Sequence, residues 1–267
     1  MLVQTVIGLQ PLMSKQNNAN STHLDICLGD DYVSIKTLNS DKSSFSDFTL
    51  EKKLKTGSLS DFLDNILSEK NIYELNVENV NVHFDNDLFC LVPNELFEES
   101  QKKEYLKYIT KINNDDFISH DSINEINVKN VFLPYVNVNN LLVEKFKEIN
   151  YYHYNSSLLK KLFKLNNELQ QKNCLFCVVS HKKFKIVVFN KGKLTFFNSF
   201  EYQNSSDILY FLLATCQNIK MNIDKVNLNY ILNLKVEDLI ENTKNFYSKF
   251  NVVYDSSIDK QDYIYSK

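Results

Sequence analysis

Apolar positions along the chain recur with a period of two in some stretches and of three to four in others, and the order of these stretches repeats. Strand-like runs come first in a row of three, at residues 24–28, 32–38 and 45–50, and a second row of three lies at residues 174–180, 184–190 and 194–200. Helical stripes follow each row. Leu59, Phe62, Leu63, Ile66 and Leu67 share one face behind Ser58, a natural N-cap with Asp61 three residues on. Further stripes are Tyr105, Tyr108, Ile109 and Ile112; Val138, Leu141, Leu142, Phe146 and Ile149; and Leu158, Leu159, Leu162 and Leu169. In the second half Ser206 is placed to cap a helix carrying Ile208, Leu209, Leu212, Leu213, Cys216 and Ile219, and the last stripe runs from Leu239 through Phe246 to Phe250. Single strand-like runs at 80–84, 88–92, 128–133, 226–232 and 251–254 alternate with these helices. The run at 174–179 is apolar on both faces, as a central strand covered by helices requires. Asp85-Asn86-Asp87 and Asn190-Lys191-Gly192 read as tight turns.

Three strands followed by alternating helices and strands is the order of a ribonuclease-H-like α/β domain, and two in tandem make an actin-like ATPase arrangement, with mixed sheets flanked by helices. The predicted organisation is a disordered lead-in over residues 1–22, mildly apolar up to Leu12 and polar from Ser14, then a first subdomain over 23–150 and a second over 151–267. Met13 is a second candidate start beside Met1.

Composition narrows the function. With 43% hydrophobic and 24% charged residues the 267-residue chain reads as a soluble globular protein large enough for two cores. The net charge of -3 argues against a nucleic-acid binder. All basic residues are Lys, so no bidentate guanidinium clamp and no arginine finger in cis are available. The five cysteines lie in strand or helix patterns, and Cys174 and Cys177, three apart in a strand, point to opposite faces. They are expected to be buried thiols in a reducing cytoplasm. No apolar run approaches the roughly 18 residues of a membrane span. The five histidines are scattered, none at metal-ligand spacing from another or from cysteine.

Several short motifs bring a family resemblance. The chain is similar to an uncharacterised bacterial family, the domain-of-unknown-function family 3822. The likeness rests on the stretches at residues 91–97 and 133–140, the latter with Pro134, Tyr135 and Asn137, and on 188–194. It is most specific at Asn198, Ser199, Phe200, Glu201 and Tyr202, followed by Asp207 and residues 210–213. The resemblance implies an actin-like ATPase fold and no established activity.

An actin-like ATPase cradles phosphate with two strand-turn-strand loops whose glycines let backbone N–H groups approach. Here the first turn is Gly29, Asp30 and Asp31, where adjacent carboxylates repel phosphate unless a cation intervenes. The second is Ser180, His181, Lys182 and Lys183, without glycine. The expected adenosine turn, around residues 229–235, has no glycine either, and the whole chain has only 4. The expectation is a pseudo-ATPase without cofactor or metal, acting in the cytoplasm as an interaction or scaffold module for a protein partner, with no nucleic acid and no membrane insertion. One alternative is a divergent Mg-nucleotide switch or ATPase using Lys182, Lys183 and the Asp30/Asp31 pair. A third is a metal-dependent nuclease, with Asp25 or Asp30 and Asp31 on the first strand converging on Asp85 and Asp87. Pro134, Tyr135, Asn137, Asn198, Ser199, Phe200 and Tyr202 are the candidate cleft or partner-facing residues, since they lie where strands end and helices begin.

Overall fold

The computed structural model describes residues 22–254, apart from residues 31, 40–44, 52–57, 114–115, 181, 233–235, 237 and 248. The lead-in before Thr22, both candidate start methionines, Asp31, His181 and part of the expected adenosine turn lie outside the described residues.

The chain opens with β1 (Thr22–Gly29), β2 (Tyr32–Asn39), β3 (Phe45–Glu51), α1 (Leu59–Glu69) and β4 (Val77–Asp85). A smaller group follows: β5 (Phe89–Pro93), α2 (Lys102–Leu106), β6 (Ser119–Ile123) and β7 (Val128–Phe132). Next come α3 (Val136–Lys145), β8 (Ile149–His153) and α4 (Tyr154–Glu168). The rest is β9 (Asn173–Val179), β10 (Lys183–Asn190), β11 (Lys193–Glu201), α5 (Ser205–Asn218), β12 (Asn227–Leu232), α6 (Leu239–Lys244) and β13 (Phe250–Tyr254).

Two five-stranded sheets share one topology, β3-β2-β1-β4-β8 and β11-β10-β9-β12-β13. In each, a three-strand antiparallel meander is extended by two parallel strands. The repeat visible in the sequence is therefore a repeat of strand order. What differs is the inserted three-stranded sheet β5-β7-β6 between β4 and β8 of the first sheet. Because β8 pairs with β4, the chain leaves the first sheet after His153.

Side-chain alternation along β9 builds two cores. Leu175, Cys177 and Val179 face α5 and α6, while Cys174, Phe176 and Val178 face α4. The opposite facing of Cys174 and Cys177 follows directly. The second cluster also takes in Cys27 and Tyr32 from the first sheet, so α4, through Tyr154, Leu158, Leu159 and Leu162, fills the space where the halves meet. A third cluster buries the other face of the first sheet under α1 and α3. All five cysteines are free thiols.

Ser58 and Asp61 form the anticipated capping box on α1. On α5 the cap is Asn204, not Ser206: its Oδ1 accepts from the backbone N–H of both Ser206 and Asp207, and Asp207 returns the bond. Three helical stripes are longer on paper than in space. α2 ends at Leu106, whose carbonyl closes a turn with Ile109 and Thr110, leaving Tyr108 exposed. α3 ends at Lys145 because Ile149 pairs with Val80 as a strand, and α6 ends at Lys244 because Phe250 pairs with Leu228. In both cases a free sheet edge satisfies more backbone groups than another helical turn would. β6 and β8 carry too many polar residues to stand out as strands. Residues 85–87 are a bend leading to another sheet, since β5 pairs with β7. Asn190-Lys191-Gly192 is the expected hairpin turn, with positive φ at Lys191 (51°) and Gly192 (76°), the type I′ signature.

Candidate functional site

A cleft of about 660 Å³ opens where the turn after β1 faces the turn after β9. Its size is that of an ordinary small-ligand site. The two turns occupy equivalent places: residues 29–32 lie between the paired Leu28 and Val33, and residues 180–183 between the paired Val179 and Phe184.

In the first turn, the glycine serves the protein rather than a ligand. A Cβ on Gly29 would lie 1.8 Å from Tyr32 Cε1, so the tyrosine ring occupies the space that the missing side chain leaves. Tyr32 is 4% exposed and donates its hydroxyl to Asp85 Oδ2 at 2.8 Å, with Cys27 Sγ at 3.3 Å. Burial, then the Asp85 charge, raises its phenol well above the usual range. Next to it, Asp30 accepts from the Tyr135 hydroxyl at 2.8 Å.

The second turn sends lysines across. Period-two alternation puts Lys183 and Lys185 on the β10 face that Val187 and Phe189 bury deeper in the core. Lys183 Nζ donates to Asp87 Oδ2 at 2.7 Å and to Asp30 Oδ2 at 3.1 Å. Burial pulls the Lys183 ammonium down, but the bonds to Asp87 and Asp30 outweigh it and hold it above its ordinary value. Lys185 Nζ meets Asp85 Oδ1 at 2.7 Å and lies 4.3 Å from the centroid of the Tyr154 ring, a cation–π contact. Side-chain exposure grades inward: 30% for Lys183 with 53% and 56% for its partners, against 10% and 15% for Lys185 and Asp85. Tyr202 pins the turn itself, its hydroxyl donating to the Ser180 carbonyl and its N–H to that of Lys182, whose φ is 64°.

Among the described residues, five carboxylates line the cleft (Asp30, Asp85, Asp87, Glu201, Asp207) against three lysines (Lys182, Lys183, Lys185), a net of -2. Of the residues singled out from the sequence, Asp30, Lys182, Lys183, Ser199 and Tyr202 stand in this wall. Tyr135 and Asn137 line a side pocket of about 380 Å³ that shares Asp30 with the cleft. Phe200 stacks on Phe184 and Phe211 in the second core, Pro134 is buried, and Asn198 is exposed with its side chain turned to the Ser199 N–H. Asp25 is bonded to Asn81 and is not part of the wall, whereas Asp30, Asp85 and Asp87 do converge, on lysines. Among the described residues no group of three or more His, Cys, Asp or Glu is placed to hold a metal ion. Lys185, Tyr32 and Tyr154 went unnoticed as site residues. The legible signal was the pair Lys183 and Lys185, two apart in an otherwise apolar strand.

Behind the cleft two histidines are buried and neutral. His153 accepts the Asn155 N–H at Nδ1, which puts its proton on Nε2, 3.4 Å from Asn86 Oδ1. Burial pushes His153 and His83 down to about 3.

Residues 13–250 match the family described as "Protein of unknown function (DUF3822)". The chain belongs to this family. Among solved structures it is similar to a Bacteroides thetaiotaomicron protein with an actin-like ATPase fold and unknown function. The TM-score is 0.77 at 21% identity, covering 93% of this chain and 98% of that one. A chain of a PilM–PilN type IV pilus biogenesis complex is also similar, with a TM-score of 0.54 at 10% identity, covering 90% and 92%. The fold of this DUF3822 member is thus the actin-like ATPase fold. No curated protein matches the sequence. No helix among its described residues is long and apolar enough to cross a membrane.

Proposed function

We propose that this DUF3822 protein is a non-catalytic, cytoplasmic actin-like protein, organised as two subdomains, whose nucleotide cleft is closed by its own side chains and which acts by binding a protein partner. The observation that carries this reading is the reach of Lys183 and Lys185 from the second turn to Asp30, Asp87 and Asp85. An ammonium held by two carboxylates is a poor phosphate ligand, and the one glycine of the first turn has its open side filled by the Tyr32 ring. A net-negative wall further opposes a polyphosphate. The PilM–PilN complex offers an analogy, a chain of this fold in a protein assembly, and supports the partner-binding half of the reading. Candidate partner-facing positions are Tyr135 and Asn137 beside the side pocket, Ser199 and Tyr202 on the cleft wall, and the exposed Asn198.

Thermal unfolding with and without Mg-ATP or Mg-ADP tests the reading. A ligand at about 100 times its dissociation constant stabilises by roughly 2.7 kcal/mol, several degrees for a chain of this size. The expected shift is none, and a clear shift would sink the closed-cleft reading in favour of a Mg-nucleotide switch. If that shift disappeared in Asp30→Asn, the metal would be placed at Asp30.

A further inference from the structure

Away from the cleft, the chain buries a carboxylate where a neutral group would serve the fold. β6 and β8 are edge strands of different sheets that lie close together without pairing, and Asp121 of β6 reaches across to accept the His153 N–H at 2.7 Å. Ser156, which accepts from Asn130, donates its hydroxyl to the same carboxylate. An amide oxygen would take both bonds without the cost of burying a charge. Asp121 is only 9% exposed, and among the described residues it has no ion-pair partner. A carboxylate has about four lone-pair sites, and these two bonds leave the others open.

Asp121 lines a pocket of about 320 Å³ between the two strand edges and the first turns of α4. Lys160 of α4 lines it too, exposed, and its charge bears on the Asp121 carboxyl without a bond to it. Ser157, one turn before Lys160, adds a hydroxyl with no partner among the described residues. His120 turns its Nδ1 to Glu99 at 3.5 Å, so the pocket presents one carboxylate and one ammonium held apart. Between them Tyr152 stacks on His83 and remains 39% exposed, a wall for a ligand's carbon atoms.

We propose that this pocket binds a small zwitterion, an amino acid whose ammonium meets Asp121 and whose carboxylate meets Lys160 and the Ser157 hydroxyl. A ligand with one charge satisfies only half of such a site, whereas a zwitterion makes a charge-assisted bond at each end. No residue of this pocket lines the cleft, so nucleotide binding there and amino-acid binding here are separate events, each with its own test.

The test follows backbone amide signals by NMR in a nitrogen-labelled sample while glycine, L-phenylalanine, β-alanine and γ-aminobutyrate are each added to about 10 mM, a range that detects weak ligands. Ethylamine and propionate, with one charge each, serve as comparisons. At least one amino acid is expected to shift the signals of Ser122, Tyr152 and Ser157 saturably, and to bind at least about tenfold more tightly than either single-charge compound. Asp121→Asn, which keeps an oxygen for the His153 N–H, and Lys160→Met should each weaken it by at least about tenfold, while Lys164→Met, one turn further along α4, should leave it unchanged. If Asp121→Asn does not fold, Lys160→Met carries the test, since Lys160 is exposed. Absence of shifts at the pocket with all four amino acids overturns the proposal. So does equal binding of ethylamine or propionate, or binding that survives Asp121→Asn or Lys160→Met.

Discussion

The turn after β1 and the turn after β9 have the same length, the same flanking pairing and opposite chemistry. Tyr32 and Lys183 hold the same place in the two repeats, each just before the residue that closes the hairpin register. Tyr32 folds inward over a glycine and is buried, while Lys183 reaches outward to the other half. Asp30, Asp85 and Asp87 of the first half meet Lys183 and Lys185 of the second, so charges pair across the gap between the repeats. A duplicated fold has become a pair of complementary halves, with the contact made at the place where this architecture can hold a ligand.

Acid should break the symmetry most. The buried, neutral His83 and His153 belong to the first sheet, and each titrates near 3 when folded and near 6.5 when unfolded. Below about pH 6.5 the unfolded chain binds protons that the folded one refuses, so stability falls with pH until about 3. Asp121, pushed up to about 6 by burial, works the other way: its cost is complete above pH 6 and fades toward pH 4. The two histidines outweigh it, for a net loss of several kcal/mol between pH 7 and pH 4. Hydrogen exchange at pH 4 should show β1, β4 and β8 losing protection before β9, β10 and β12. Equal loss in both sheets would remove the asymmetry.

Cutting the inner tie comes next. Lys185→Met leaves Asp85 enclosed without its ammonium and should lower stability by about 3 kcal/mol in urea unfolding. A loss below about 1 kcal/mol would show that the other partners of Asp85, Tyr32 among them, satisfy it without the ammonium. The two turns can then be compared directly. Gly29→Ala forces the Tyr32 ring out of its place and should cost about 2 kcal/mol, whereas Ser180→Ala loses one hydrogen bond to the Lys183 carbonyl, about 1 kcal/mol. Equal costs would mean that the glycine is not there for the ring. The smallest effect is at the rim: Lys183→Met should cost no more than about 1 kcal/mol at low salt, and the difference from the natural chain should vanish near 1 M salt.

Much of the fold was legible. Both meanders, the capping box at Ser58 and Asp61, the Lys191-Gly192 turn and the opposed cysteines follow from local periodicity and local hydrogen bonding. The misread ends of α2, α3 and α6, and the unseen β6 and β8, share a cause. Each depends on a strand edge or a packing surface supplied by residues far along the chain. The site was legible as two turns without the glycines of a phosphate cradle. It was not legible as an ion network, because Asp30 and Lys183 are 153 residues apart and Asp85 and Lys185 are 100 apart.

By itself, the sequence determined the strand order of each half and the composition of the two facing turns, since both are written in period-two alternation and in the residues between neighbouring strands. Only the tertiary structure decided that Asp30 of one turn, with Asp85 and Asp87 at the end of β4, would meet Lys183 and Lys185 of the other half. That pairing is set by how α4 packs the two sheets together, a long-range arrangement that no local window of residues specifies.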